Sequence, residues 1–136
     1  MLPAFFGYQR EDESMRKIDF KLILIGVVYL TLAMIQGQLM AFTANYSFYP
    51  MHAHMALVGG VMMILYGLVY RAFPAMQKDS LVTTHFWLAN IGAPIFFAGI
   101  GVSIAGGTRN IGHAGSILVI FALLMFGAIF YRSRRD

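Results

Sequence analysis

The sequence predicts an all-α integral membrane protein, a bundle of four helices that cross the bilayer. Only 12% of the 136 residues are charged, whereas soluble domains usually carry about 25%. Charge is absent from three long runs, residues 22–70, 80–108 and 110–131, which hold 49, 29 and 22 residues. A helix needs roughly 20 apolar residues to cross the hydrocarbon, so the runs have room for four spans. Strands are excluded because the runs are too long and their apolar residues do not alternate.

The elements follow in chain order. Residues 1–21 form a polar, mixed-charge leader, and residues 132–136 form a basic tail. The 49-residue run must break once, and it breaks before Pro50, because proline suits a first helical turn and the nearby tyrosines suit a membrane interface. Pro94 lies inside a later span, where we expect a kink. The four spans cover about residues 22–45, 50–73, 80–106 and 111–131.

The cations predict an orientation. Nine of the ten Lys and Arg side chains lie in the leader, the middle loop and the tail, and only Arg109 lies on the other side. Because cytoplasmic segments are enriched in Lys and Arg, we expect both termini in the cytoplasm, and we expect a prokaryotic inner membrane.

Composition excludes several classes of chemistry. The chain has no cysteine, which excludes disulfides, thiolate metal sites, iron–sulfur clusters and covalently attached c-type haem. The sequence has no basic stripe with interleaved aromatic residues, so nucleic acid is not expected as a partner. No acidic residue lies inside a predicted span, which disfavours a relay of carboxylates. Histidine is therefore the candidate ligand for a metal or cofactor.

Two histidines begin the second span. His52 and His54 are two residues apart, so on a helix their side chains point about 200° apart and cannot hold one metal ion together. The spacing predicts two separate ligands or cofactors, one on each side of the helix, or two interfacial histidines that form hydrogen bonds only with water or lipid headgroups. His85 precedes Phe86 and Trp87 and is interpreted as part of an aromatic belt. His113 lies on the same side of the membrane as His52, His54 and Arg109.

Part of the chain, from Pro50 to about Gly106, resembles the catalytic subunit of the haem–copper oxidases, in both its oxygen-reducing and its nitric-oxide-reducing branches. The resemblance is carried by four motifs, His52-Ala53-His54, Tyr70-Arg71-Ala72-Phe73-Pro74, Thr84-His85-Phe86-Trp87-Leu88 and Ile91-Gly92. In that family the first histidine of such a pair binds the active-site haem and the second binds the low-spin haem.

The resemblance implies that His52 and His54 are haem ligands. It also implies that Arg109 pairs with a haem propionate, since arginines occupy the similar loop in the family; the alternative is a loop cation that faces water. His113, on the same side of the membrane, is a further candidate cofactor-binding residue. The family's copper ligands, its cross-linked tyrosine and its other low-spin ligand lie on helices that have no counterpart here. We therefore expect non-covalent haem b and no copper from this chain alone.

The family subunit has twelve helices in three arcs of four, and this chain resembles one arc. The resemblance implies a homotrimer in which each interface receives His52 from one protomer and His54 from the next. Such a site predicts electron transfer, with a redox partner or a quinol, or binding of O2 or NO. Two alternatives stay open: an oxidoreductase acting on O2 or NO with partner chains, and a haem-free membrane accessory subunit.

Overall fold

The computed structural model describes the backbone of residues 2–135 and the side chains of residues 17–135. Within these limits the chain is helical and contains no strand. Four helices are long and apolar enough to cross a membrane, and they cover Lys17–Thr43, Tyr49–Ala72, Val82–Ile104 and Asn110–Ser133. The predicted fold class, an all-α membrane protein with four spans, is confirmed.

The elements are numbered in chain order. The second span, Tyr49–Ala72, combines three of them, and a short 3₁₀ turn follows it. The elements are α1 (Leu2–Thr43), α2 (Tyr49–His54), a π-helical segment (Met55–Val61), α3 (Met62–Ala72), the 3₁₀ turn (Pro74–Lys78), α4 (Val82–Ile104) and α5 (Asn110–Ser133).

The spans alternate in direction, which gives the bundle two ends. The terminal end holds the start of the first span, the 3₁₀ turn, the start of α4 and the end of α5. The far end holds the loop between α1 and α2 and the turn between α4 and α5. The candidate residues His52, His54, Arg109 and His113 lie at the far end, and His85 lies at the terminal end.

The first span belongs to a longer helix. The backbone of the predicted leader is helical from Leu2 and continues into the span without a break. The side chains of residues 1–16, and Asp136 in the predicted tail, lie outside the described residues. Asp19 differs from a solvated leader residue, because it is only 4% exposed and its Oδ2 accepts a hydrogen bond from Arg71 Nε at 2.8 Å. This ion pair joins α1 to α3, and a buried carboxylate needs such a partner.

The π-helical segment is the main departure from the predicted second span. Pro50 lies in the first turn of α2, as expected. Beyond His54 the helix widens through Met55–Val61, where two glycines meet other helices. A Cβ on Gly60 would lie 2.5 Å from Leu30 Cγ, and one on Gly59 would lie 2.8 Å from Tyr29 Cγ and 2.9 Å from Phe97 Cζ. Because Gly59 and Gly60 have no side chains, α1 and α4 can pack directly against the backbone of the π-helical segment.

Two closely packed pairs of helices build the bundle. The second span packs along α1, and α4 packs along α5. The second pair is in backbone contact, because a Cβ on Gly99 or Gly115 would overlap the main chain of the other helix. Pro94 lies inside α4, which is helical on both sides of it. At the terminal end, Asp79 and Arg132 form an ion pair of 3.2 Å that joins the loop before α4 to α5.

Large apolar side chains cover the outer faces of α1 and α5. On α1 they include Leu24, Met34 and Phe42, which are 51%, 70% and 84% exposed, and on α5 they include Phe121 and Leu124, which are 57% and 64% exposed. Such faces are expected to meet lipid or another protein in the bilayer rather than water.

Candidate functional site

His52 is held by the first helix. Its Nδ1 lies 2.8 Å from the carbonyl oxygen of Ala33 on α1. The ring lies over Gly37, where a Cβ would be 3.0 Å from Cε1, 3.6 Å from Nδ1 and 3.7 Å from Nε2. The absence of a side chain at position 37 therefore makes room for the imidazole, and the Ala33 carbonyl sets its rotation.

His54 is held by its own helix and by α4. Its Nδ1 lies 2.7 Å from the carbonyl oxygen of Pro50, one turn earlier. Its ring meets the ring of Phe96 edge to face, with centroids 5.0 Å apart. His52 therefore faces α1 and His54 faces α4, as their two-residue spacing predicts.

The hydrogen bonds indicate which ring nitrogen of each histidine carries a proton. A carbonyl oxygen can only accept, so in each histidine Nδ1 carries the proton and donates it. In a neutral imidazole the other nitrogen, Nε2, then keeps its lone pair. Histidines that ligate metals are commonly oriented in this way, by a bond from the second ring nitrogen to a carbonyl or carboxylate. In each side chain Nε2 is therefore the ring nitrogen that could accept a hydrogen bond or bind a metal.

Arg109 and His113 come together at the far end. They line one open groove of about 200 Å³ between α4 and α5, together with Ile100, Ser103, Ile104 and Gly112. Ile100 follows Phe96, the contact of His54, by one turn of α4. The groove therefore begins one turn nearer the far end of the bundle than that contact. The structure therefore brings Arg109 and His113 together on the pair formed by α4 and α5, whereas His52 lies against α1.

His85 is not a belt residue, and that interpretation is wrong. Its exposure is 0%, because α3, α4 and α5 converge around it at the terminal end. Its Nδ1 lies 2.9 Å from the hydroxyl of Tyr70, and the ring of Tyr66 packs edge to face against it at 4.6 Å. Phe126 of α5 completes the cluster, with its ring centroid 5.4 Å from that of His85.

This buried cluster is separate from the histidine pair, which lies at the other end of the second span. Among the described residues, nothing lies within hydrogen-bond distance of His85 Nε2 or Tyr66 Oη. Sequence reasoning missed the cluster, since its members come from three elements and only the four-residue spacing of Tyr66 and Tyr70 is visible in the sequence.

The donor set limits the cofactor. Within residues 17–135 there is no group of three or more His, Cys, Asp or Glu side chains that could hold a metal ion, so a closed site of the zinc type is not formed there. Haem iron needs only one or two axial ligands from protein, and histidine is a common one. The free Nε2 atoms of His52 and His54 fit that requirement. Comparison with known protein families, characterised proteins and solved structures gives no match.

Proposed function

We propose that this chain is a haem b-binding membrane protein that carries electrons or binds a small gas, with His52 and His54 as iron ligands. One observation carries the proposal: both histidines donate Nδ1–H to a backbone carbonyl, at 2.8 and 2.7 Å, which leaves two oriented Nε2 atoms. Haem iron bound there supplies a one-electron Fe(III)/Fe(II) couple.

The two flanks favour a site shared between protomers. His52 contacts α1 and His54 contacts α4, so the two Nε2 atoms of one chain do not converge on one iron. A ring of identical chains brings the α1 flank of one protomer to the α4 flank of the next. A homotrimer, as the family resemblance implies, would then hold one bis-histidine haem at each interface. The exposed apolar faces of α1 and α5 are available to the bilayer and to neighbouring protomers.

The remaining candidate residues have a place in this arrangement. Arg109 lines the groove between α4 and α5, and its guanidinium group would pair with a haem propionate through two parallel hydrogen bonds. His113 lines the same groove. The excess of cations at the terminal end favours an orientation with both termini in the cytoplasm of a prokaryotic inner membrane, so the haem would lie near the opposite surface.

An optical spectrum of the detergent-purified protein, expressed with ample haem, tests this function. We expect a Soret band and the spectrum of a six-coordinate haem b. His52→Ala and His54→Ala should each lower haem affinity by at least the roughly 10–100-fold that lost supporting contacts cost a metal site. Tyr46→Ala, an exposed change at the same end, should leave haem content unchanged.

Other results would select the alternatives. A folded protein without a Soret band contradicts haem binding and favours a haem-free accessory subunit. Binding of CO to the reduced iron, with turnover of O2 or NO once partner chains are added, favours an oxidoreductase over an electron carrier.

A further inference from the structure

The groove beside Arg109 has features of an anion site that do not depend on haem. Arg109 makes no ion pair among the described residues. None of the six acidic residues of the chain falls within residues 20–78 or 80–135, and these stretches contain the whole far end. A second copy of the chain would bring no carboxylate there either. Arg109 is exposed and has no carboxylate partner among the described residues, so an anion that enters the groove would meet an unpaired guanidinium group.

The lining of the groove has both polar and apolar parts. Ser103 and His113 line the groove together with Arg109, and Ile100 and Ile104 supply apolar walls. The hydroxyl of Ser116 on α5 donates to the carbonyl of His113 at 2.8 Å, whereas the hydroxyl of Ser103 donates to no group in the described part of the chain. Ser103 is therefore free to donate to a ligand.

We propose that this groove binds the headgroup phosphate of an anionic phospholipid, with an acyl chain along Ile100 and Ile104. Arginine forms two parallel hydrogen bonds with phosphate, and basic pockets between membrane helices bind anionic headgroups. A zwitterionic headgroup fits less well, because no carboxylate at the far end can pair with its ammonium group. In the open groove, one arginine cannot pair with both a lipid phosphate and a haem propionate, so lipid and haem compete where haem binds.

Native mass spectrometry of the full chain, purified without added haem so that no propionate competes for Arg109, tests the proposal with phosphatidylglycerol and phosphatidylcholine as probes. We expect phosphatidylglycerol to be retained about tenfold more strongly, and Arg109→Gln to remove this preference, as loss of one bidentate charge-assisted pair predicts. Arg134→Gln, an exposed arginine at the terminal end, is the matched control and should keep the preference. Equal retention of the two lipids, or an unchanged preference in Arg109→Gln, would overturn the proposal.

Two further arms separate the lipid from other anions. Inorganic phosphate alone should not displace phosphatidylglycerol, because it cannot use the apolar walls; displacement would indicate a plain phosphate site and overturn the lipid assignment. The doubly substituted chain His52→Ala/His54→Ala should keep the lipid preference. Since that chain lacks both proposed iron ligands, a failure of haem binding and a failure of lipid binding are distinguishable.

Discussion

Replacing Gly37 by alanine should disturb His52 specifically. The new methyl carbon would lie 3.0 Å from His52 Cε1, so the ring must move by a few tenths of an ångström and its 2.8 Å hydrogen bond to the Ala33 carbonyl weakens. A hydrogen bond of this kind contributes about 0.5–1.5 kcal/mol. Alanine in place of a helical glycine adds about 1 kcal/mol of stability. The two effects should nearly cancel, and the free energy of unfolding should change little.

Gly127→Ala is the matched control, because it is also a helical glycine but a Cβ there meets nothing within 4 Å. It should raise the free energy of unfolding by about 1 kcal/mol. Reversible unfolding in mixed micelles measures the difference between the two variants, and haem titration measures the consequence for the site. We expect roughly tenfold weaker haem binding for Gly37→Ala and no change for Gly127→Ala. Equal stabilisation of both variants with equal haem affinity would refute this description of His52.

Three further changes test the packing by the same unfolding measurement. Tyr66→Phe removes a buried hydroxyl that has no partner among the described residues, so it should stabilise the protein by up to about 1 kcal/mol, and a clear loss of stability would show that the hydroxyl has a partner. Tyr70→Phe leaves His85 Nδ1 unpaired and should cost about 1–3 kcal/mol; a neutral result would mean that the pair contributes nothing. Gly115→Ala forces a Cβ onto the backbone of Phe96 and should lower the free energy of unfolding by about 1–3 kcal/mol. An increase, as helix propensity alone would give, would contradict the close contact of α4 and α5.

The number and extent of the spans could be predicted because hydrocarbon imposes a minimum length on any uncharged helix. The predicted span of about 50–73 matches Tyr49–Ala72, and the predicted span of about 111–131 matches Asn110–Ser133. The predicted start of the first span, about residue 22, is less accurate, because the span begins at Lys17. Asp19 marks a charged segment in the sequence but is neutralised by Arg71 in the fold. A partner 52 residues away leaves no local signal.

The candidate site was predictable to the extent that it depends on helical geometry. The two-residue spacing alone separates His52 from His54, and the structure places them against α1 and α4. The carbonyl partners, the glycine under His52 and the π-helical segment depend on how the second span meets its neighbours. His85 shows the same limit, because its neighbours Phe86 and Trp87 favour an interfacial position, while its burial comes from Tyr66, Tyr70 and Phe126.

The sharing of haem between protomers is tested most directly by co-expressing the His52→Ala chain with the His54→Ala chain and recording the spectrum of the purified oligomer. In a ring with His52 from one protomer and His54 from the next, random mixing restores the complete pair at about one quarter of the interfaces. The mixture should therefore regain the six-coordinate haem b spectrum at about a quarter of the wild-type intensity, while each variant alone lacks it. A mixture with no more haem than the separate variants would contradict a site shared between protomers.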